Sequence, residues 1–213
     1  MRLITVLLLV GSAGLFSAEP GFQPLFNGKD LSGWTLLGGK GSGYGVHDGA
    51  IVCERNGGGN LLTNAEYSDF ILRFEFRTEP GGNNGVGIRA PLSAKDIAYQ
   101  GMEIQILDHG HKKYEGWLQP WQRHGSIYNV VAAKPAPLKP AGQWNEQEII
   151  ADKRHIVVKV NGETVVDANL DDVKDPEILK KHPGILRPSG HIGFLGHGDE
   201  VAFRNIRIKP LNQ

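Results

Sequence analysis

The chain has 213 residues, and its 23 Lys and Arg are balanced by 23 Asp and Glu. That length suits one sizeable domain, and a net charge of zero gives no basis for a nucleic-acid partner. Its 29 glycines and scarce helical periodicity argue against a helical protein and for short strands joined by tight turns.

Met1-Arg2 supplies a positive charge, Leu3 to Val10 an apolar run, and small residues follow as far as Ala18. This pattern predicts a signal peptide over 1–18, a mature chain beginning near Glu19, and a secreted or periplasmic location. The apolar run is too short for a lasting membrane span, so no stable membrane association is expected once it is removed. Cys53 is the only cysteine. No internal disulfide can form, and its place in AIVC, 50–53, marks it as a small buried hydrophobe.

FQPLFNGKDLSGW, 22–34, carries turn signals at Asn27-Gly28 and around Asp30, Ser32 and Gly33, followed by Trp34 as a core or rim aromatic. GGKGSGYG, 38–45, is glycine-rich, but it lacks the GK[ST] ending and the following helix of a phosphate loop, which excludes nucleotide binding. DFILRFEFRT, 69–78, alternates Phe70, Leu72, Phe74 and Phe76 with Ile71, Arg73, Glu75 and Arg77. One face of that strand is expected in a core and the other in water, its charges pairing among themselves. In GVGIRA, 85–90, Val86 and Ile88 share one face, and Gly85, Gly87 and Arg89 the other. Glycine in a strand marks a close approach, so Arg89 is a candidate ligand-binding cation, with a structural ion pair as the alternative.

GMEIQILDHG, 101–110, holds the densest polar constellation. Met102, Ile104 and Ile106 form an apolar row, Glu103 and Gln105 stand on the opposite face, and Asp108 and His109 follow at the strand end. The long loop 109–125 carries His109, His111, Trp117, Trp121 and His124. Loops of this length commonly serve as lids or binding loops, so Trp117 and Trp121 either stack on sugar rings or pin the loop to the body. The three histidines raise zinc binding, but no HExxH spacing supports it.

HGSIYNV, 124–130, reads as a strand with Tyr128 opposite Ile127, and KPAPLKP, 134–140, as a connector. WNEQEIIA (144–151) and RHIVVKV (154–160) form a hairpin around Asp152-Lys153, and a second hairpin turns on Asn161-Gly162. DDVKDPEILKKH supplies the one modest helical pattern, and HIGFLGHG (191–198) and VAFRNIRIKPL (201–211) close the chain as a strand pair. His197 stands between two glycines at a strand end, where it is either a turn histidine or a site residue. Short strands with frequent turns and no βαβ pattern predict an all-β fold, a two-sheet antiparallel β-sandwich over 19–213.

FNGKDLSGW, NNGVGIR, GMEIQILD, SIY, WNE, VNGETV and GHGDEVAFRNIRIKPL, in that order, resemble the 3-keto-disaccharide hydrolase domain family from about Phe22 to Leu211. The resemblance implies a concanavalin A-like jelly roll that cleaves glycosides already oxidised to a ketone at sugar C3. A C3 ketone acidifies the C2 proton, and the resulting enolate expels the C1 substituent. Such chemistry needs a base, hydrogen bonds or positive charge at the C3 oxygen, and an acid at the leaving group. On the matching positions, Glu103 or His197 would be the base, Arg89 and Gln105 would meet the enolate oxygen or hydroxyls, and Tyr128 or His109 would assist the leaving group. A divalent ion would be useful at the enolate, with Glu103, Asp108 and His197 as possible ligands. The loop GWLQPWQRHGSIY is individual to this chain, and GFLGHG stands where relatives more often place a glutamine before the histidine segment.

Two other readings compete. A retaining glycosidase would use the Glu103, Gln105, Asp108 spacing, which resembles the E-x-D-x-x-E of jelly-roll glucanases, but such enzymes need two carboxylates about 5–5.5 Å apart. A non-catalytic sugar-binding module is compatible with the same fold.

Overall fold

The computed structural model describes residues 19–93 and 95–211, and the expected signal segment lies outside them. Among the described residues the strands are β1 (Gln23–Pro24), β2 (Trp34–Lys40), β3 (Tyr44–His47), β4 (Ala50–Cys53), β5 (Gly58–Thr63), β6 (Phe70–Thr78), β7 (Asn83–Ala90), β8 (Met102–Leu107), β9 (Asn145–Asp152), β10 (His155–Val160), β11 (Glu163–Asn169), β12 (His191–Gly196) and β13 (Val201–Pro210). They form two antiparallel sheets, as the alternation predicts. The larger has the order β11-β10-β9-β6-β13-β4-β3, with β1 added beside β13, and the smaller has the order β2-β5-β12-β7-β8.

Alternation decides what lies between the sheets. Phe70, Leu72, Phe74 and Phe76 of β6 are buried, as are Met102, Ile104 and Ile106 of β8. The two layers meet in an aromatic stack: Phe194 of β12 lies on Phe203 of β13 with centroids 3.8 Å apart, and Phe74 and Trp34 pack edge-on and face-on against Phe194. Because Phe194 points inward, its neighbour Leu195 must point outward.

The outer face of the large sheet is charged and self-paired, as expected. Arg73 pairs with Glu148 and Glu19, Arg204 with Glu75, and Glu19 also reaches Arg207. Phe22 lies under the Arg73 guanidinium at 4.6 Å, so residues 19–24 form a strap across this face.

Three local expectations change. Residues 124–130 are not a regular strand: they run beside β8 through the isolated Ile127–Ile104 bridge and backbone bonds of Gln105 N to Ser126 O and Gly125 N to Gln105 O, and Ile127 also bridges Val131. A short helix, α1 (Ile97–Gln100), stands in the connection between β7 and β8, where no helical pattern was expected. The helical pattern near the C-terminus narrows to α2 (Pro176–Lys181), where the Asp175 side chain accepts from Glu177 N and Pro176 occupies the first turn.

His124 belongs to the core. It is buried, stacks on Phe76 at 4.9 Å, and accepts a hydrogen bond from Leu107 N at 3.1 Å through Nδ1. Burial, then the neighbouring His109, pushes its pKa from 6.5 down to about 3. The unfolded chain therefore takes up a proton that the folded one refuses. This contribution is fully present above pH 6.5 and is lost as the pH falls toward 3. Urea unfolding at a series of pH values should show wild-type stability falling by up to ~1.4 kcal/mol per pH unit more steeply than that of His124→Gln across this window. Parallel slopes would contradict the assignment.

Candidate active site

Glu103 and Gln105 stand on the outer face of the small sheet, because Met102, Ile104 and Ile106 turn inward. In the β7–β8 register Gly87 lies opposite Glu103 and Gly85 opposite Gln105. The Glu103 side chain does not stand up from the sheet. It lies along β7 over Gly85, where any Cβ would collide with the carboxylate. The glycine clearing noted in the sequence is thus filled by Glu103.

On the other side of β7 is β12. Gly196 pairs with Asn84, and His197 follows it. A Cβ on Gly196 would meet Cys53 Sγ at 2.7 Å, so this residue turns inward and His197 turns out. His197 Nε2 lies 3.7 Å from Glu103 Oε1, with side-chain exposures of 48% for the imidazole and 5% for the carboxylate. Glu103 Oε1 is buried and accepts no hydrogen bond. Two residues 94 positions apart are brought together across one strand, and the acidic partner is held with a lone pair unspent.

The turn carrying His197 is firmly held. Asn56 N donates to Gly198 O at 2.8 Å, Glu200 N donates to Glu79 Oε1 at 2.8 Å, and Lys113 Nζ pairs with Asp199 at 3.0 Å. Gly58 lies so close to the Gly196 carbonyl that a Cβ there would meet its oxygen at 3.0 Å. Along β8, Gln105 Nε2 donates to Asn83 Oδ1 at 2.8 Å. Tyr128 N donates to Glu103 O at 2.9 Å, and the Tyr128 hydroxyl lies 3.5 Å from Gln122 Nε2. The Ile104–Ile127 bridge puts Tyr128 beside Glu103 at the edge of the same face. On the opposite flank, Ile97 of α1 covers Leu62, Ala90 and Leu195, leaving the Glu103–His197 region beside a small apolar patch.

Arg89 is a correction. It adopts φ 48° at the point where the β7–β12 register shifts between His191 and Gly193. This bulge reverses the parity of the strand and sends the side chain away from the Glu103 face. The guanidinium is buried, bonded to Ser68 O at 3.0 Å and paired with Asp69 at 3.1 Å. The structural ion pair is what forms.

Asp108 also has a structural occupation: its Oδ2 accepts from Gly81 N at 2.7 Å. Glu103, Asp108 and His197, the possible ligands for an ion, do not gather at one point, and among the described residues no three His, Cys, Asp or Glu side chains do. His109 lies apart from Glu103, in a pocket of about 400 Å³ that is also lined by Tyr114, Leu118 and Arg123. Burial, then Arg123, lowers its pKa, with Asp108 opposing. Trp117 is pinned by its indole N–H to Lys113 O at 2.8 Å and tilted against Tyr114, yet it remains 53% exposed, and Trp121 is 42% exposed. Both rings keep free surface on the loop that Lys113 ties to the His197 turn.

The matching family profile is the 3-keto-α-glucoside-1,2-lyase-like domain, over residues 21–209. The chain belongs to this family. A 3-keto-disaccharide hydrolase of Bacteroides thetaiotaomicron is 29% identical over 90% of this chain and 79% of its own length. Two crystal structures from Parabacteroides distasonis, both described as candidate glycosyl hydrolases, share the sandwich. One is 30% identical with a TM-score of 0.74, over 89% of this chain and 99% of its own. The other is 24% identical with a TM-score of 0.76, over 90% of this chain and 94% of its own. A Bacillus subtilis carbohydrate-binding module, at 15% identity and TM-score 0.54 over 83% of this chain and 95% of its own, shares the fold alone.

Within this lyase-like domain the Gly85 clearing has a testable role. Gly85→Ala keeps an extended backbone that alanine adopts freely, so the unfolding temperature should change little. The added methyl should lift Glu103 off the sheet and away from His197. Loss of sugar turnover with unchanged thermal unfolding is expected, and retained turnover would show that the clearing is not needed.

Proposed function

We propose that this protein cleaves 3-keto-glycosides by removing the C2 proton and eliminating the C1 substituent. The observation that carries the reading is the buried, unpartnered Oε1 of Glu103 facing an exposed imidazole at 3.7 Å. A carboxylate oxygen without a donor keeps its capacity to accept a proton. The family membership and the 3-keto-disaccharide hydrolase relative support the substrate class.

In this mechanism the Glu103 carboxylate takes the C2 proton. The C–H electron pair becomes the C2=C3 bond, and the C3 oxygen acquires the negative charge. Collapse restores the C3 carbonyl, forms C1=C2 and breaks the bond from C1 to the leaving oxygen, which takes a proton from the His197 imidazolium. Transfer of the proton from Glu103 to His197 then resets the pair. Water adding later across C1=C2 would make the net reaction a hydrolysis. In this reading Tyr128, at the edge beside Glu103, binds the sugar, and Trp117 and Trp121 stack on it or its aglycone. The expected signal segment would put this reaction in the periplasm or outside the cell.

A retaining glycosidase is less well supported, because Asp108 is engaged by Gly81 N rather than left to face Glu103. Mass spectrometry of products from a disaccharide and its 3-keto derivative tests the proposal. Cleavage of the keto sugar alone is expected, with Glu103→Gln slowing it by about 10²–10⁴-fold. Cleavage of the unoxidised sugar, or of neither, would overturn the reading in favour of a glycosidase or a binding module respectively.

A further inference from the structure

An enolate needs a donor at its oxygen, and Arg89, the cation that the sequence offered for it, is buried beside Asp69. The register shows what stands in its place. Asn83 lies two residues before Gly85 on the outer row of β7, and it pairs with Leu107 of β8. The last β12 partner along this stretch is Gly196 opposite Asn84, so the next residue, His197, follows beside Asn83. Asn84 turns inward and donates to Tyr44 Oη at 3.3 Å, which leaves Asn83 facing out and half-buried. Glu103, laid over Gly85, is the neighbour on one side, and Gln105 the bonded partner on another.

We infer that the Asn83 carboxamide is the hydrogen-bond donor to the C3 oxygen as the enolate forms, with Gln105 as its positioning residue. The inference rests on the elimination reading above. Gln105 Nε2 donates to Asn83 Oδ1 at 2.8 Å. This bond fixes which end of the Asn83 amide faces the sheet and leaves the Nδ2 hydrogens to project. It also polarises the amide, so those hydrogens become better donors. When Glu103 removes the C2 proton and charge moves onto the C3 oxygen, Asn83 Nδ2–H meets a full acceptor where the ketone was a weak one. A donor that strengthens in the transition state raises kcat rather than tightening ground-state binding.

The closest variant in shape is Asn83→Asp. It keeps the size and the acceptor that Gln105 bonds and removes the donor but adds a negative charge, so the uncharged Asn83→Ala is the variant that isolates the donor. The experiment incubates a 3-keto-glucoside in D2O and follows deuterium at C2 by NMR alongside aglycone release. With wild type neither exchanging nor cleaving, the elimination reading itself fails, and the assignment of Asn83 falls with it. With wild type active, Asn83→Asp and Asn83→Ala should each lose about 10²–10³-fold in kcat with little change in KM. Exchange and cleavage should fall together, because the donor acts before the two paths divide. Asn83→Ser, which returns a hydroxyl donor, should recover part of the loss, and unfolding temperatures should stay near wild type. Asn83→Ala turning over within threefold of wild type, or changing KM alone, would overturn the inference while leaving the elimination reading intact.

Discussion

The stack of Phe194 on Phe203 is the contact on which the candidate site depends. It fixes the parity of β12: with Phe194 inward, Leu195 points out and Gly196 in, and His197 is delivered to the outer face. The same rule acts on β8, where three buried apolar residues commit Glu103 and Gln105 to that face. β7 lies between these two strands, and its glycines let side chains from either neighbour lie down on it. The hydrophobic interior therefore orients a polar pair that it never touches.

Much of this was legible in the sequence because alternation is a local signal. The buried row of β6, the opposed rows of β8 and the Asn161-Gly162 turn needed only neighbouring residues to be read. Glu103 and Gln105 were legible for the same reason, and His197 from its place between glycines at a strand end. Their meeting was not, since it depends on strand order in the sheet. Arg89 shows how the signal fails. One residue with positive φ at a bulge turns its own side chain to the other face while Val86 and Ile88 keep theirs, and nothing in GVGIRA announces that turn. Asn83 was hidden differently: it follows two glycines and precedes a second asparagine, a composition that carries no strand alternation, and only the β7–β8 register separates it from its inward-facing neighbour Asn84.

The two outer faces divide the polar residues by whether their charges are satisfied. On the large sheet the carboxylates of Glu19, Glu75 and Glu148 each have a guanidinium partner. The pocket of about 290 Å³ there, lined by Arg73, Glu75, Glu148, Lys159 and Arg207, is a meeting place of ion pairs. On the small sheet the Glu103 carboxylate keeps an oxygen free in a buried position. Leaving a buried acceptor unbonded costs about 1–3 kcal/mol, a cost that the paired face does not carry. Unsatisfied valence, more than concavity, distinguishes the reactive side of this sandwich.

The strap formed by residues 19–24 bears on how the protein can be held. Glu19 grips Arg73 and Arg207 on the outside of the large sheet, while Glu103 and His197 occupy the outside of the other, with roughly 10 Å of packed core separating the layers. A tag or resin linker fused directly to Glu19 would therefore be rooted on the layer away from Glu103. The root of such a fusion and the Glu103–His197 pair thus belong to opposite layers of the sandwich.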